Sequence, residues 1–122
     1  MRDNLILDFT VIDAETTGRS NRYEDVTEIS AIRYRDGMVD ASYSSLVKAK
    51  NSILPFVENL TGITNQMIKD APKMEDIIDE LVVFIGQDIV LGHDVDFDFS
   101  LIDEAYRAKH GKRLRNKTMD TL

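Results

Sequence analysis

The sequence contains no cysteine, which excludes both disulfide bonds and a metal site built from thiolates. Long apolar runs are also missing, because no stretch approaches the ~18 residues that a membrane-spanning helix needs. The N-terminus lacks the basic and then apolar segments of a secretory signal. No stretch rich in proline, glycine or serine marks a linker. We therefore expect residues 1–122 to form one domain in the cytoplasm.

Positive charge is scarce in most of the chain, which carries a formal net charge of −7. Residues 1–106 hold 21 acidic and nine basic side chains, whereas Arg107–Lys117 holds six basic residues and no acid. A protein that binds nucleic acid usually has a basic surface. The acidic balance therefore argues against that class, unless bound divalent cations meet the phosphates. The basic stretch fits a binding patch and a solvated helix end equally well.

The distribution of apolar residues predicts strands first, and then helices alternating with strands. Four strands are predicted, at 4–14, 28–35, 39–47 and 88–92, the first of them buried on both faces. Asp36–Gly37 predicts a hairpin turn between the second and third strands. Apolar residues at helical spacing predict helices over 74–85 and 95–108, and residues 117–122 begin a further strand or helix. The fold class is therefore α/β, a mixed sheet with helices packed against it.

Asp13 and Glu15 form a first acidic pair at the end of the first predicted strand. Side chains two residues apart on a strand point to the same face, so these carboxylates converge. Converging carboxylates repel each other unless a cation or a proton lies between them. Oxygen ligands of this kind suit Mg²⁺ or Mn²⁺ better than zinc. An Asp-x-Glu pair is also common by chance, as a strand-end pair that faces water, so both interpretations stay open.

Asp94, Asp96 and Asp98 form a second acidic cluster where a helix is predicted to begin. The helix dipole alone favours acids in a first turn, by ~0.3–1 kcal/mol each. A calcium loop of the EF-hand type is excluded, because its sixth and twelfth positions are occupied by Phe99 and Ala105. The cluster is therefore either a metal site or a helix start with favourable charges.

The two histidines carry weaker signals. His93 precedes the second acidic cluster, where it could serve as a ligand or a general base. A lone histidine at a strand–helix junction is more often a hydrogen-bonded structural residue. His110 lies in the basic stretch, where a solvated side chain is expected. We assign a catalytic role to neither.

Four segments together have the order and spacing of known exonuclease motifs across essentially the whole chain. They are Ile12–Gly18 (IDAETTG), Leu60–Thr64 (LTGIT, followed by Ala71–Pro72), His93–Asp98 (HDVDFD) and Met119–Leu122 (MDTL). In these segments the chain resembles the DEDD (DnaQ-like) family of 3′–5′ exonucleases, which includes the proofreading epsilon subunit of DNA polymerase III. The second segment resembles the version found in PolC-type polymerases.

The resemblance implies a ribonuclease H-like fold and removal of nucleotides from nucleic-acid 3′ ends by two Mg²⁺ or Mn²⁺ ions. It implies that Asp13, Glu15 and Asp98 are catalytic metal ligands, and that Phe97 packs its helix. The residues expected to bind substrate are Thr16, Thr17, Gly18, His93 and Asp94. The expected partners are a single-stranded or frayed DNA 3′ end, with RNA as an alternative, and a DNA polymerase.

The chain departs from the family pattern in two places. Asp94 stands where the family usually has asparagine, and it could equally cap the helix. The third motif, a histidine followed five residues later by the fourth metal-binding aspartate, has no counterpart in residues 1–122. We therefore expect a C-terminally truncated fold, an inactive or nearly inactive polypeptide, and an uncovered apolar sheet surface that favours oligomers or domain swapping. The alternative is a non-catalytic module that binds nucleic-acid ends or a polymerase.

Overall fold

A mixed five-stranded sheet organises residues 7–121, which are the residues that the computed structural model describes. The strands are β1 (Phe9–Thr16), β2 (Val26–Arg35), β3 (Met38–Leu46), β4 (Ile89–Gly92) and β5 (Thr118–Asp120). Their order in the sheet is β3-β2-β1-β4-β5. The first three strands are antiparallel neighbours, while β4 is parallel to β1 and β5 is parallel to β4. The carboxyl ends of β1, β4 and β5 therefore meet at one edge.

Four α-helices connect the strands. They are α1 (Pro55–Thr61), α2 (Asn65–Ile68), α3 (Met74–Ile85) and α4 (Val95–His110), and a short 3-10 helix (Tyr23–Asp25) precedes β2. Helix α3 begins where the Asp76 carboxylate accepts a 3.0 Å hydrogen bond from the Lys73 backbone N–H. Helix α4 ends at Gly111, which adopts the left-handed conformation that glycine tolerates. Among residues 7–121, no helix combines the length and the apolar character needed to cross a bilayer.

Helices α3 and α4 pack side by side on one face of the sheet. The centre of this core consists of aliphatic side chains that are at most 2% exposed: Ile12, Ile29, Ala31, Val90, Ile78, Leu81, Leu101 and Ile102. Burying a large aliphatic side chain contributes about 1.5–3 kcal/mol relative to leaving it exposed. This core therefore fixes the position of α4 against β1 and β4.

The opposite face of the sheet carries a second apolar surface that is only half covered. Phe9 and Val11 of β1 lie directly opposite Tyr34 and Ile32 of β2, and the rings of Phe9 and Tyr34 stack with centroids 4.8 Å apart. Ile32 is 36% exposed. The predicted burial of β1 on both faces is therefore wrong, because β1 is buried only where the helices cover it. Self-association through the open face stays a prediction.

The predicted hairpin is confirmed. Asp36 and Gly37 both have positive φ angles, 54° and 75°, and they join Arg35 to its partner Met38. Two left-handed residues define the type I′ turn that matches the twist of a hairpin. The helix at 74–85 is also confirmed, and the last predicted element is a short strand. Residues 4–6 of the first predicted strand lie outside the described residues.

Candidate metal and nucleic-acid site

Asp13 and Glu15 lie near the carboxyl end of β1, on the half-covered face of the sheet that also carries Phe9 and Val11. Their partners across the ladder are Ser30 and Glu28 of β2, so three carboxylates share this end of the sheet. Partial burial raises the pKa of Glu15, and the negative charges of Asp13 and Glu28 raise it further. These acids repel each other unless a positive charge is added.

Asp98 brings a buried carboxylate to the same place from the first turn of α4. Its side chain is 5% exposed, and its Oδ2 accepts a 3.2 Å hydrogen bond from the Ala14 backbone N–H. Asp98 therefore contacts β1 between Asp13 and Glu15. Burial raises its pKa to about 7, the Ala14 N–H opposes the rise, and the charges of Asp13, Asp94 and Glu15 add to it. A cation at this position would stabilise the ionised form of Asp98.

The donor set fits a hard divalent cation. Carboxylate oxygens are the ligands that Mg²⁺ and Mn²⁺ prefer, and Asp98 has Oδ1 left after its bond to Ala14. Within the described part of the chain, no three His, Asp or Glu side chains form a ready-made metal cluster. The carboxylates are thus neighbours whose side chains must reorient to share an ion. Their role as metal ligands stays a prediction.

Residues of β5, and not Asp94, hold the start of α4. Asp94 occupies the N-cap position with left-handed backbone angles, and its side chain makes no capping hydrogen bond, so the predicted alternative of a cap is wrong. The Val95 backbone N–H donates instead to Asp120 Oδ1 at 2.7 Å. The Thr118 hydroxyl lies 2.7 Å from Asp96 Oδ1. Asp120 was visible in the sequence as part of the MDTL segment, but nothing local indicated this role.

Thr17 is fully buried in the loop that follows β1. Its hydroxyl accepts a 3.1 Å hydrogen bond from the Arg19 backbone N–H and is bonded to the Asp25 carboxylate. Burial works against ionisation of Asp25, but hydrogen bonds from Ser20, Asn51 and Thr17 lower its pKa. In this structure the Thr17 side chain ties the loop together and is not accessible to a substrate.

Thr16 and Gly18 remain at the surface of this loop. Thr16 Oγ1 accepts a 3.3 Å hydrogen bond from the Gly18 backbone N–H. Gly18 has a φ of 82°, and an added Cβ would lie 2.8 Å from Val57 Cγ2. The position therefore requires glycine for conformation and for packing against α1. Both residues border the carboxylates, and their contact with substrate stays a prediction.

His93 is exposed at the junction of β4 and α4, next to Asp94. Its side chain makes no hydrogen bond within residues 7–121, so the interpretation as a hydrogen-bonded structural residue is wrong. His110 contacts the Asp79 carboxylate, which contradicts the expectation of a merely solvated side chain. Phe97 packs against the core, as predicted. His93 and Asp94 are both exposed at this edge, and their contacts with substrate stay a prediction.

The basic stretch Arg107–Lys117 covers the last turn of α4 and the loop that returns to β5. Arg107 is nine residues beyond Asp98, about 14 Å along the helix, whereas Lys117 adjoins Thr118 at the start of β5. Two of the basic side chains pair with acids: Lys109 Nζ is 2.9 Å from Asp79, and Arg113 Nε is 3.5 Å from Asp103. Part of the stretch therefore has a structural role on the helix surface.

The sequence profile of the exonuclease family RNase_T matches residues 10–122, and the chain belongs to this family. Among its relatives, the DNA polymerase III subunit epsilon of Aquifex aeolicus is 37% identical over 123 residues, which cover 100% of this chain and 61% of that protein. The PolC-type DNA polymerase III of Latilactobacillus sakei is 31% identical over 124 residues, which cover 100% of this chain and 9% of that protein. The chain thus spans less than two thirds of either relative.

Solved structures share the same fold. Exonuclease X in complex with 5′ overhanging duplex DNA has a TM-score of 0.69 and 24% identity, covering 92% of this chain and 58% of that one. Exonuclease I has a TM-score of 0.75 and 18% identity, covering 95% of this chain and 29% of that one. At these identities the likeness shows the fold, so the predicted ribonuclease H-like mixed sheet flanked by helices is confirmed.

Proposed function

We propose that this protein is a 3′–5′ exonuclease that cleaves nucleic-acid phosphodiesters with two Mg²⁺ or Mn²⁺ ions, in cytoplasmic DNA proofreading or repair. The observation that carries the proposal is the buried carboxylate of Asp98, held against β1 between Asp13 and Glu15. A buried acid surrounded by other acids is destabilising in itself, so it points to a bound cation. The relatives associated with DNA polymerase III support DNA as the substrate.

Each part of the site has a separate task in this proposal. Asp13, Glu15 and Asp98 hold the metal ions, and cations bound there would lower the pKa of a water and offset charge on the phosphate. Thr16 and Gly18 follow the carboxylates at the end of β1, the exposed His93–Asp94 pair precedes α4, and these residues contact the terminal nucleotide. A terminal base must leave a duplex to enter such a site, so frayed or single-stranded 3′ ends are favoured.

Metal binding is the first test. Calorimetric titration with Mn²⁺ is expected to show saturable binding to the 122-residue chain and none to the Asp13→Ala variant, because that variant loses a carboxylate ligand. Asp70→Ala is the matched control, since Asp70 is an exposed acid in the turn after α2. Wild-type protein that binds no Mn²⁺ would show that the carboxylates do not assemble into a metal site.

Slow hydrolysis is expected from the 122-residue polypeptide itself. The histidine base and the fourth aspartate of the family's third motif have no counterpart in residues 1–122. A general base alone contributes ~10²–10⁴-fold to a rate. We expect turnover of a 3′-labelled single strand below ~0.1 s⁻¹, against about 10 s⁻¹ for a typical enzyme. Turnover at the typical value would show that another group in these residues replaces the missing base.

A second candidate function, a non-catalytic module that binds nucleic-acid ends or a polymerase, is favoured by one observation. The described residues contain no ready-made cluster of three metal ligands. Such a module would bind single-stranded DNA equally well with Mn²⁺ or with a chelator, and Asp13→Ala would leave that binding unchanged. The exonuclease proposal requires Mn²⁺ to strengthen binding of the 3′ end in the wild-type chain.

A further inference from the structure

A groove of about 390 Å³ lies at the end of the sheet where β2 begins and β3 ends, which is also the end at which β1 finishes. It is bounded by the 3-10 helix before β2, by the segment that follows β3 and by the start of α3. Its size is within the ~300–1,000 Å³ of typical ligand sites. The lining residues that matter here are Tyr23, Glu24, Lys48, Lys50, Lys73 and Met74.

Backbone hydrogen bonds fix the segments that carry the lysines. The Lys50 N–H donates to the Glu24 carbonyl at 2.7 Å, and the Lys48 N–H donates to the Pro72 carbonyl at 2.8 Å. Lys73 follows directly on Pro72, and the buried Met74 begins α3. The three lysines therefore surround one groove because of the fold and not because of their positions along the chain.

The groove is a positively charged feature of an acidic protein. All three lysines are exposed, and none of them forms an ion pair within residues 7–121. The N-terminal end of α3 adds a partial positive charge. Two acids, Glu24 and Glu75, also line the groove, so three ammonium groups face two carboxylates there. The remaining positive charge favours an anion, although the chain as a whole has a net charge of −7.

The carboxylate of Glu24 indicates that the ligand of the groove also carries a hydrogen-bond donor. Its Oε1 is shielded from solvent and has no hydrogen-bond partner in the described part of the chain. A buried acceptor without a partner is unfavourable, so a ligand that supplies an N–H or O–H donor is favoured. A ligand that is anionic and also carries donors has the properties of a nucleotide, with its phosphate and its base or sugar.

Short connections join the groove to the candidate metal site. The Thr17 N–H, two residues beyond Glu15, donates to the Asp25 carbonyl at 2.9 Å. Glu24 is the neighbour of Asp25 in the 3-10 helix, and β2 begins immediately afterwards. The loop of residues 17–22 therefore connects the end of β1, where Glu15 lies, to the 3-10 helix that forms one wall of the groove.

We propose that this lysine groove binds a nucleotide of the substrate strand that lies on the 5′ side of the terminal nucleotide. Lys48, Lys50 and Lys73 contact its phosphates, and Glu24 accepts a hydrogen bond from its base or sugar. The proposal rests on the proposed exonuclease function, because it takes the nucleic acid of that function as the ligand. It adds a binding site on the path to the carboxylates.

The test is the binding of a fluorescein-labelled 12-nucleotide thymidine strand with phosphorothioate linkages that resist hydrolysis, measured by anisotropy in Mn²⁺ at several salt concentrations. The variant carrying Lys48→Gln, Lys50→Gln and Lys73→Gln is expected to bind at least tenfold more weakly. Each lost phosphate contact reduces the salt slope by ~0.7 for a single strand, so three lost contacts reduce it by about 2. The matched control, Arg107→Gln, Lys112→Gln and Arg115→Gln, removes the same charge from exposed side chains of the basic stretch that form no ion pair within residues 7–121, and it should stay within threefold of wild type.

The outcomes separate this inference from the proposed function. The proposal that the groove binds the strand would be overturned by any of three results. The lysine variant could bind as tightly as wild type, the control variant could lose as much affinity as the lysine variant, or wild type could fail to bind the strand. Mn²⁺ titration of the lysine variant should match wild type, which shows that it is folded and that its carboxylates are intact. A further result would be that strand binding requires the lysines although wild type binds no Mn²⁺. This result would support nucleotide binding in the groove and would contradict the proposed exonuclease function.

Discussion

Replacing Asp98 by asparagine is expected to raise the melting temperature of the metal-free chain by about 5–10 °C at pH 8. The same substitution should remove any stabilisation by Mn²⁺. Asp98 is 5% exposed and lies among the charges of Asp13, Asp94 and Glu15, so its ionised form destabilises the fold. Asparagine keeps an oxygen that can accept the Ala14 N–H, but it carries no charge. The carboxylate that would bind the metal therefore lowers the stability of the metal-free chain.

The stability of the metal-free chain should depend on pH because the pKa of Asp98 is raised in the folded state. Asp98 has a pKa of about 7 in the folded chain against an ordinary value of 3.8, so the folded state holds its proton more tightly than the unfolded state does. This stabilisation is full below about pH 4 and is lost as the pH rises through 7. The loss at pH 8 is on the order of 2–4 kcal/mol. Asp98→Asn does not titrate, so its advantage over wild type should appear only as the pH rises.

Thermal unfolding in chelator and in Mn²⁺, at pH 5 and pH 8, measures both effects. Asp70→Asn is the control, because it removes one charge from an exposed turn. It should change neither the melting temperature in chelator nor the increase caused by Mn²⁺ by more than about 1–2 °C. Equal melting temperatures for Asp98→Asn and wild type in chelator at pH 8 would mean that the buried carboxyl is not destabilising. An undiminished Mn²⁺ shift in Asp98→Asn would mean that Asp98 is not a ligand.

Features that depend on neighbouring residues could be predicted from the sequence. The hairpin turn follows from the left-handed preference of Asp36–Gly37, and helix α3 follows from apolar spacing that no other local signal contradicts. The shared face of Asp13 and Glu15 follows from the alternation of side chains along a strand. In each case the determining interactions lie within a few residues, so local physical rules were sufficient.

Features that depend on distant pairing could not be predicted in this way. The contact of Asp98 with Ala14 spans 84 positions and requires β4 to lie parallel to β1. The cap that Asp120 provides for α4 requires β5 to join the edge of the sheet. Thr17 lies in a polar segment with the composition of an exposed turn. Its hydroxyl points inward, however, because it bonds to Asp25, which is buried beneath the loop. Resemblance to a family predicted which residues form the site, while only the fold shows what each one touches.

Replacing Gly92 by alanine is expected to destabilise the chain by about 1–3 kcal/mol and to weaken Mn²⁺ binding at least tenfold. A Cβ at this position would lie 2.9 Å from the Ile12 carbonyl oxygen and 3.4 Å from Val95 Cγ2. A backbone oxygen cannot rotate away, so β4 or the start of α4 must move. Ile12 precedes Asp13, and Val95 lies one helical turn before Asp98. The shift would therefore separate the carboxylates that we propose share a cation.

Gly111→Ala provides the matched comparison for Gly92→Ala. Gly111 has a φ of 69° and open space around it, so alanine there strains the backbone without a collision. This change should also cost on the order of 1 kcal/mol, but it lies at the far end of α4. Melting curves and Mn²⁺ titrations of both variants should show similar losses of stability but a loss of metal affinity only in Gly92→Ala. If both variants kept wild-type affinity, the close approach of β1 and β4 at Gly92 would not position the metal site.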